Sequence, residues 1–175
     1  RHLRLDSGRG GCSHVRRLAD RQESMETTIT EFDLKIRYQI YRFFADQCRA
    51  PSDRELADLL NAEQKEVRAS FHKLHERHMI FLEPGTDTIR MANPFSAIPT
   101  KFKVLSGNRE WWANCAWDSL GIAAALNIDV QIEASYPDIQ ETVRLQVKNG
   151  LVDGKDHLVY FPLPCRQWYD DLVFT

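Results

Sequence analysis

The chain has 175 residues, 43% hydrophobic and 27% charged, with a formal net charge of −2 and a pI near 6.3. This suits one compact domain or two small ones, and it supplies no global basic field for nucleic acid or an anionic membrane. No apolar run approaches the ~20 residues of a membrane helix, and residues 1–24 hold no apolar core of signal-peptide type.

The chain begins with Arg1, and its first methionine is Met25. Residues 1–24 carry six arginines against Asp6, Asp20 and Glu23, and they lack periodicity. Residues 1–29 are read as a disordered extension, with a native start at Met25. A basic nucleic-acid-binding arm is the competing reading, weakened by sparse arginine and absent aromatics.

From Thr30 the pattern turns helical. Thr30 with Asp33 reads as an N-cap, and Ile36, Ile40, Phe43 and Phe44 recur at helical spacing until Pro51. Ser52 and Glu55 form a capping box for a second helix, with Leu56, Leu59 and Leu60 as its apolar face. Asn61, with Gln64 at the box position, is expected to cap a third helix lined by Val67, Phe71 and Leu74. Met79–Leu82 and Thr88–Met91 are short extended runs around a turn at Glu83-Pro84-Gly85-Thr86.

Three helices and a hairpin outline a winged-helix-like subdomain over residues 30–92. Those residues carry ten Lys/Arg and eleven Asp/Glu. A DNA-binding face needs net attraction to phosphates, so a structural role is expected and DNA is not an expected partner.

Residues 93–175 form the second part. Lys101–Leu105 reads as extended. Trp111-Trp112-Ala113-Asn114-Cys115-Ala116-Trp117-Asp118 then leads into an alanine-rich helix. Asp129–Ala134, Thr142–Val147 and His157–Phe161 read as strands, with Asn149-Gly150 ending the second. Gln167–Asp171 is a polar connection before the apolar run Leu172–Phe174. The expected class is α+β: a three-helix winged-helix-like subdomain, then a mainly antiparallel sheet with short helices.

The four cysteines, Cys12, Cys48, Cys115 and Cys165, form no CxxC pair. Their density does not suit a secreted disulfide scaffold, so reduced thiols in a cytoplasm are expected. Cys12 lies in the extension. Cys48, on the apolar side of the first helix, reads as a small buried hydrophobe.

Cys115 and Asp118 stand three apart at a helix start, on one face. A helix N-terminus favours an anion, which lowers a thiol pKa. Surrounding tryptophans would exclude water and make Asp118 harder to ionise, a proton donor beside a thiolate. Taken alone, the spacing favours a packed core cysteine and a capping or surface carboxylate. Trp111, Trp112 and Trp117 read as core and pocket wall. A solvated or hydrogen-bonded imidazole is the reading for His157.

The stretch Asn93-Pro94-Phe95-Ser96-Ala97-Ile98-Pro99-Thr100, followed by Trp111 through Ile122, is similar to the central signature of the alkylmercury (organomercurial) lyase family. The resemblance covers roughly residues 30–175 and is specific over 93–126. It implies protonolysis of a carbon–mercury bond, with Cys115 binding mercury and Asp118 protonating the leaving carbon. A second cysteine thiolate would add to mercury, as ligand softness predicts. The products would be a hydrocarbon and Hg(II), passed to cellular thiols or a mercury reductase. Mercury is the substrate and product metal, and no organic cofactor is implied.

The chain departs from the family where the second catalytic cysteine is expected, directly after Thr175. Truncation, a stop codon read as selenocysteine, and a natural end without the second ligand all fit. Truncation is preferred, because Leu172–Phe174 looks like half of a buried strand. Cys165 is a minor candidate for the second ligand, and turnover of the chain as it stands is expected to be low or absent. The other readings are a non-catalytic thiol-based mercury or metal binder or sensor, and a lyase fold whose activity is lost.

Overall fold

The computed structural model describes residues 28–135, 141–153, 157–159, 161, 163–164 and 167–168. Residues 1–27 of the N-terminal extension, with Cys12, and also Cys165 and the run Leu172–Phe174 lie outside them, whereas Ile29 packs against the core.

Helix α1, Glu31–Gln47, starts as its capping box dictates. Asp33 N–H donates to Thr30 Oγ1 at 3.2 Å, and Thr30 N–H donates to Asp33 Oδ2 at 2.8 Å. Ile36, Ile40 and Phe44, four apart, form its buried stripe. Cys48 closes the helix in the left-handed region (φ 57°), three residues before Pro51. Half-buried, it packs against the core.

Helix α2, Asp53–Leu60, carries the expected Ser52–Glu55 box. Leu56 and Ala57 are buried and Leu60 packs beside them, but Leu59 is 54% exposed. In so short a helix Ala57 and Leu60 flank Leu56 on one side, and Leu59 falls beyond it on the other.

Helix α3, Gln64–Glu76, does not start at Asn61. Asn61 is the left-handed C-cap of α2 (φ 51°), a conformation asparagine tolerates. Glu63 is the N-cap, and its N–H donates to Glu66 Oε2 at 3.1 Å. Val67, Phe71 and Leu74 are fully buried, as their spacing predicts.

The two short runs form a hairpin, β1 (Phe81–Leu82) and β2 (Ile89–Ala92). It continues into one sheet, since β2 pairs with β3 (Phe95–Ser96). The remaining strands are β4 (Phe102–Ser106), β5 (Arg109–Ala113), β6 (Val130–Ser135), β7 (Thr142–Lys148) and β8 (Leu151–Val152). All paired neighbours are antiparallel, in the order β1-β2-β3-β5-β4-β6-β7-β8. Helix α4, Ala116–Leu126, connects β5 to β6. The architecture is therefore α+β: helices followed by an eight-stranded antiparallel sheet among the described residues.

Two hairpins exceed the expectation from sequence. Gly107 (φ 61°) and Asn108 turn β4 into β5, with Ser106 opposite Arg109. Asn149 (φ 51°) and Gly150 (φ 74°) turn β7 into β8 rather than merely ending a strand. Two successive positive φ values match the twist of the flanking strands. The strand expected at His157–Phe161 is not formed over His157–Val159. That segment pairs with no described strand, and Leu158 is 90% exposed, so no burial favours an extended ladder there.

One buried cluster joins both halves of the chain. Helix residues Ile40, Phe44 and Phe71 share it with Phe95, Trp111 and Ile122. Phe44 stacks on Phe95 with centroids 5.2 Å apart, and Trp111 Nε1 donates to Phe44 O at 2.6 Å. The cations of α3 meet carboxylates: Lys65 reaches Glu63 at 2.8 Å, Arg68 bonds Asp53, and Lys73 reaches Asp33 at 3.4 Å.

Asp33 is 1% exposed. Burial opposes its ionisation, but the Ser70 hydroxyl, the Thr30 donors and the charge of Lys73 together outweigh burial and hold its carboxyl below the ordinary value. Asp33→Ala should cost about 1–3 kcal/mol in denaturant melts, from loss of the cap and of a buried acceptor. Since the folded-state pKa is depressed, this contribution is present above the unfolded carboxylate pKa. It fades as pH falls through the folded value, so wild type and variant should converge in acid.

Candidate active site

Strand β5 delivers the site. Thr100 Oγ1 donates to Ala113 O at 2.6 Å, fixing the strand end, and Asn114 and Cys115 lead into α4. Cys115 is the N-cap in extended backbone (φ −148°, ψ 178°). Its carbonyl accepts Ser119 N–H at 3.1 Å, and its Sγ accepts Asp118 N–H at 3.4 Å. The sulfur thus takes the place a serine or aspartate oxygen takes at an ordinary helix start.

Asp118 sits one turn on, half-buried. Its Oδ2 accepts from Asn114 Nδ2 at 3.0 Å. The same amide nitrogen lies 3.0 Å from Asn93 Oδ1 and 3.4 Å from Phe95 O, across the β3–β5 pairing. Tyr41 Oη donates to Asn93 O at 3.0 Å. A hydrogen-bonded line therefore runs from α1 through Asn93 and Asn114 to Asp118. Gly121, on the next turn of α4, lets Pro94 come close: a Cβ there would lie 3.2 Å from Pro94 Cβ.

Burial pushes the Asp118 carboxyl above the usual carboxylate value, and hydrogen bonds from Asn114 and Cys115 offset this only in part. The sequence-based expectation for Cys115 is reversed. Burial first, then the charge of Asp118, push its thiol up, although the N–H groups of Asp118 and Trp117 favour the thiolate. The helix N-terminus is present, but desolvation and a like charge beside the sulfur are stronger. Both groups are therefore biased toward their protonated forms, and a soft electrophile that displaces the thiol proton would find an acid one turn away.

The tryptophans do not wall the motif as a set. Trp111 is core, 1% exposed. Trp112 lies under Lys103, whose Nζ is 4.6 Å from the ring centroid. Trp117 is 57% exposed and meets Phe161 at 6.3 Å. Asp118 is nonetheless half-buried. Cys165 lies outside the described residues, and His157 is exposed. Among the described residues no group of three or more His, Cys, Asp or Glu could hold a metal ion, and no helix is long and apolar enough to cross a membrane. Asn93 and Asn114 were missed as site residues; both lie within the quoted signature, but only the strand pairing joins them.

Comparison with known proteins bears on this arrangement. Residues 95–175 match the family model of alkylmercury lyase (MerB). Among solved structures, the chain is similar to the mercury-bound form of MerB2, with a TM-score of 0.58 and 26% identity. That likeness covers 74% of this chain and 62% of the other, so this chain spans less than two thirds of that structure's length. No curated protein matches. The matched segment, residues 95–175, carries both the thiol and the acid and is similar to the alkylmercury lyase family.

Proposed function

We propose that the chain cleaves carbon–mercury bonds, with Cys115 as the mercury-binding sulfur and Asp118 as the proton donor to carbon. The observation that carries this reading is the shared helical turn, where Asp118 N–H holds the Cys115 sulfur and the Asp118 carboxyl is half-buried beside it.

An organomercurial R–Hg–X exchanges X for the Cys115 sulfur, and the thiol proton leaves with X. Mercury is soft and favours sulfur. Metal ligation itself takes the proton off the thiol, so a raised thiol pKa is no barrier. A second thiolate, from a small cellular thiol or from Cys165, adds to mercury and enriches the Hg–C bond in electron density. That electron pair then takes the proton of Asp118. Hydrocarbon leaves, Hg(II) stays on sulfur, and the carboxylate regains a proton from water, which its raised pKa favours. Cellular thiols or a mercury reductase would accept the Hg(II), in a cytoplasm that keeps the thiols reduced. No organic cofactor takes part. Residues 30–92, winged-helix-like in element order, act as scaffold; their paired charges support a structural role over a DNA-binding one.

The test is benzene release from phenylmercury in excess small thiol. The chain should release benzene slowly, since one protein thiolate activates the bond less than two, and Cys115→Ala should fall to the uncatalysed background. Full release by that variant would end the assignment. Tight stoichiometric Hg(II) binding without benzene would favour the thiol-based binder, and a salt-dependent gel shift with duplex DNA would favour a sensor.

A further inference from the structure

The Asn114 side chain makes more contacts than a loop residue needs. Its Nδ2 lies 3.0 Å from Asp118 Oδ2, 3.0 Å from Asn93 Oδ1 and 3.4 Å from Phe95 O. An amide has only two N–H donors, so three acceptors compete for them. Its Oδ1 is buried and has no hydrogen-bond partner among the described residues. A buried acceptor left unpaired is costly, and here it accompanies an amide turned so that its donors face Asp118 and the Asn93–Pro94 turn. Asn93 is itself held, its carbonyl accepting from Tyr41 at 3.0 Å.

We propose that Asn114 is a positioning residue for Asp118, fixing the carboxyl beside Cys115 by tying it to the Asn93–Phe95 segment. Its chemical consequence rests on the lyase reading; its existence does not. The amide acts on Asp118 in two ways. It holds one carboxyl oxygen, which leaves the other as the proton-bearing oxygen. It also donates to the ionised form, which favours that form relative to the neutral acid. Asn114 touches no reacting atom.

The test is direct titration of Asp118 by carbon NMR of aspartate carboxyl-labelled protein, with the resonance assigned through Asp118→Asn. In wild type, the Asn114 side-chain amide proton and nitrogen resonances should move with the Asp118 midpoint. In Asn114→Ala the Asp118 midpoint should shift upward, because a donor to the carboxylate is gone, and in Asn114→Asp it should shift further up. A merely structural asparagine would lower the melting temperature and leave the Asp118 midpoint in place. The wild-type measurement needs no variant to fold: amide resonances that ignore the Asp118 titration would overturn the proposal. So would an unchanged midpoint in a folded Asn114→Ala. Neither readout depends on benzene release, so absence of lyase activity would defeat the functional reading and leave this one standing or falling by itself.

Discussion

Asp118→Asn should suppress benzene release from phenylmercury by roughly 10²–10⁴-fold, the usual contribution of a positioned general acid. Asparagine is close in shape and can still accept from Asn114, but it has no acidic proton to give to carbon. The same substitution should make Cys115 easier to ionise. The charge of Asp118 is one of the two main influences that push the thiol up, and the other, burial, remains. The alkylation rate of the Cys115 peptide, followed against pH by mass spectrometry, should therefore show a midpoint shifted down. An unchanged or higher midpoint would mean that the two groups do not face one another as described. Stability should hold, because a carboxyl whose ionisation is disfavoured by burial gains little from being charged.

Trp111→Ala should destabilise the fold by about 3–5 kcal/mol, the range for truncating a large core aromatic. Trp111 is 1% exposed and joins the two halves of the chain. Its ring is buried in the core shared with Phe44, and its Nε1 donates to Phe44 O at 2.6 Å. Since small domains hold only about 5–15 kcal/mol in total, the variant should be largely unfolded by moderate urea. Trp111→Phe keeps most of the apolar contact and loses the indole hydrogen bond, so it should fall between wild type and alanine. Equal urea midpoints for wild type and Trp111→Ala would show that this ring does not hold α1 to the sheet.

Much of the helical half was legible because its signals are local. The boxes Thr30–Asp33 and Ser52–Glu55 lie within one turn, and Ile36, Ile40 and Phe44 repeat at one period. Asn61 misled because asparagine serves both as an N-cap and as a left-handed C-cap, and the preceding helix claimed it. Strand β5 was hidden because Trp111-Trp112 reads only as the lead-in to the helix that follows. The period of two emerges only with Trp111 and Ala113 inward against Val104 and Phe95. The two-residue strand Phe95–Ser96 exists through its neighbours on both sides, which no local pattern records.

The site divides in the same way. The pair Cys115 and Asp118 was visible from spacing at a helix start, and the resemblance singled it out. Asn93 and Asn114 stand 21 residues apart and meet only because Phe95 pairs with Ala113. The direction of the Cys115 shift was misjudged for a related reason: the helix N-terminus can be read locally, whereas burial depends on packing.

The most direct test of Cys115 and Asp118 as thiol and acid is a single-turnover experiment. Stoichiometric phenylmercury is mixed with the chain and a small thiol; benzene in the headspace and the mass of the Cys115 peptide are followed together. The prediction is up to one benzene per chain, with the peptide passing from a phenylmercury adduct to one bearing mercury without phenyl. A phenylmercury adduct that persists on Cys115 with no benzene released would contradict it.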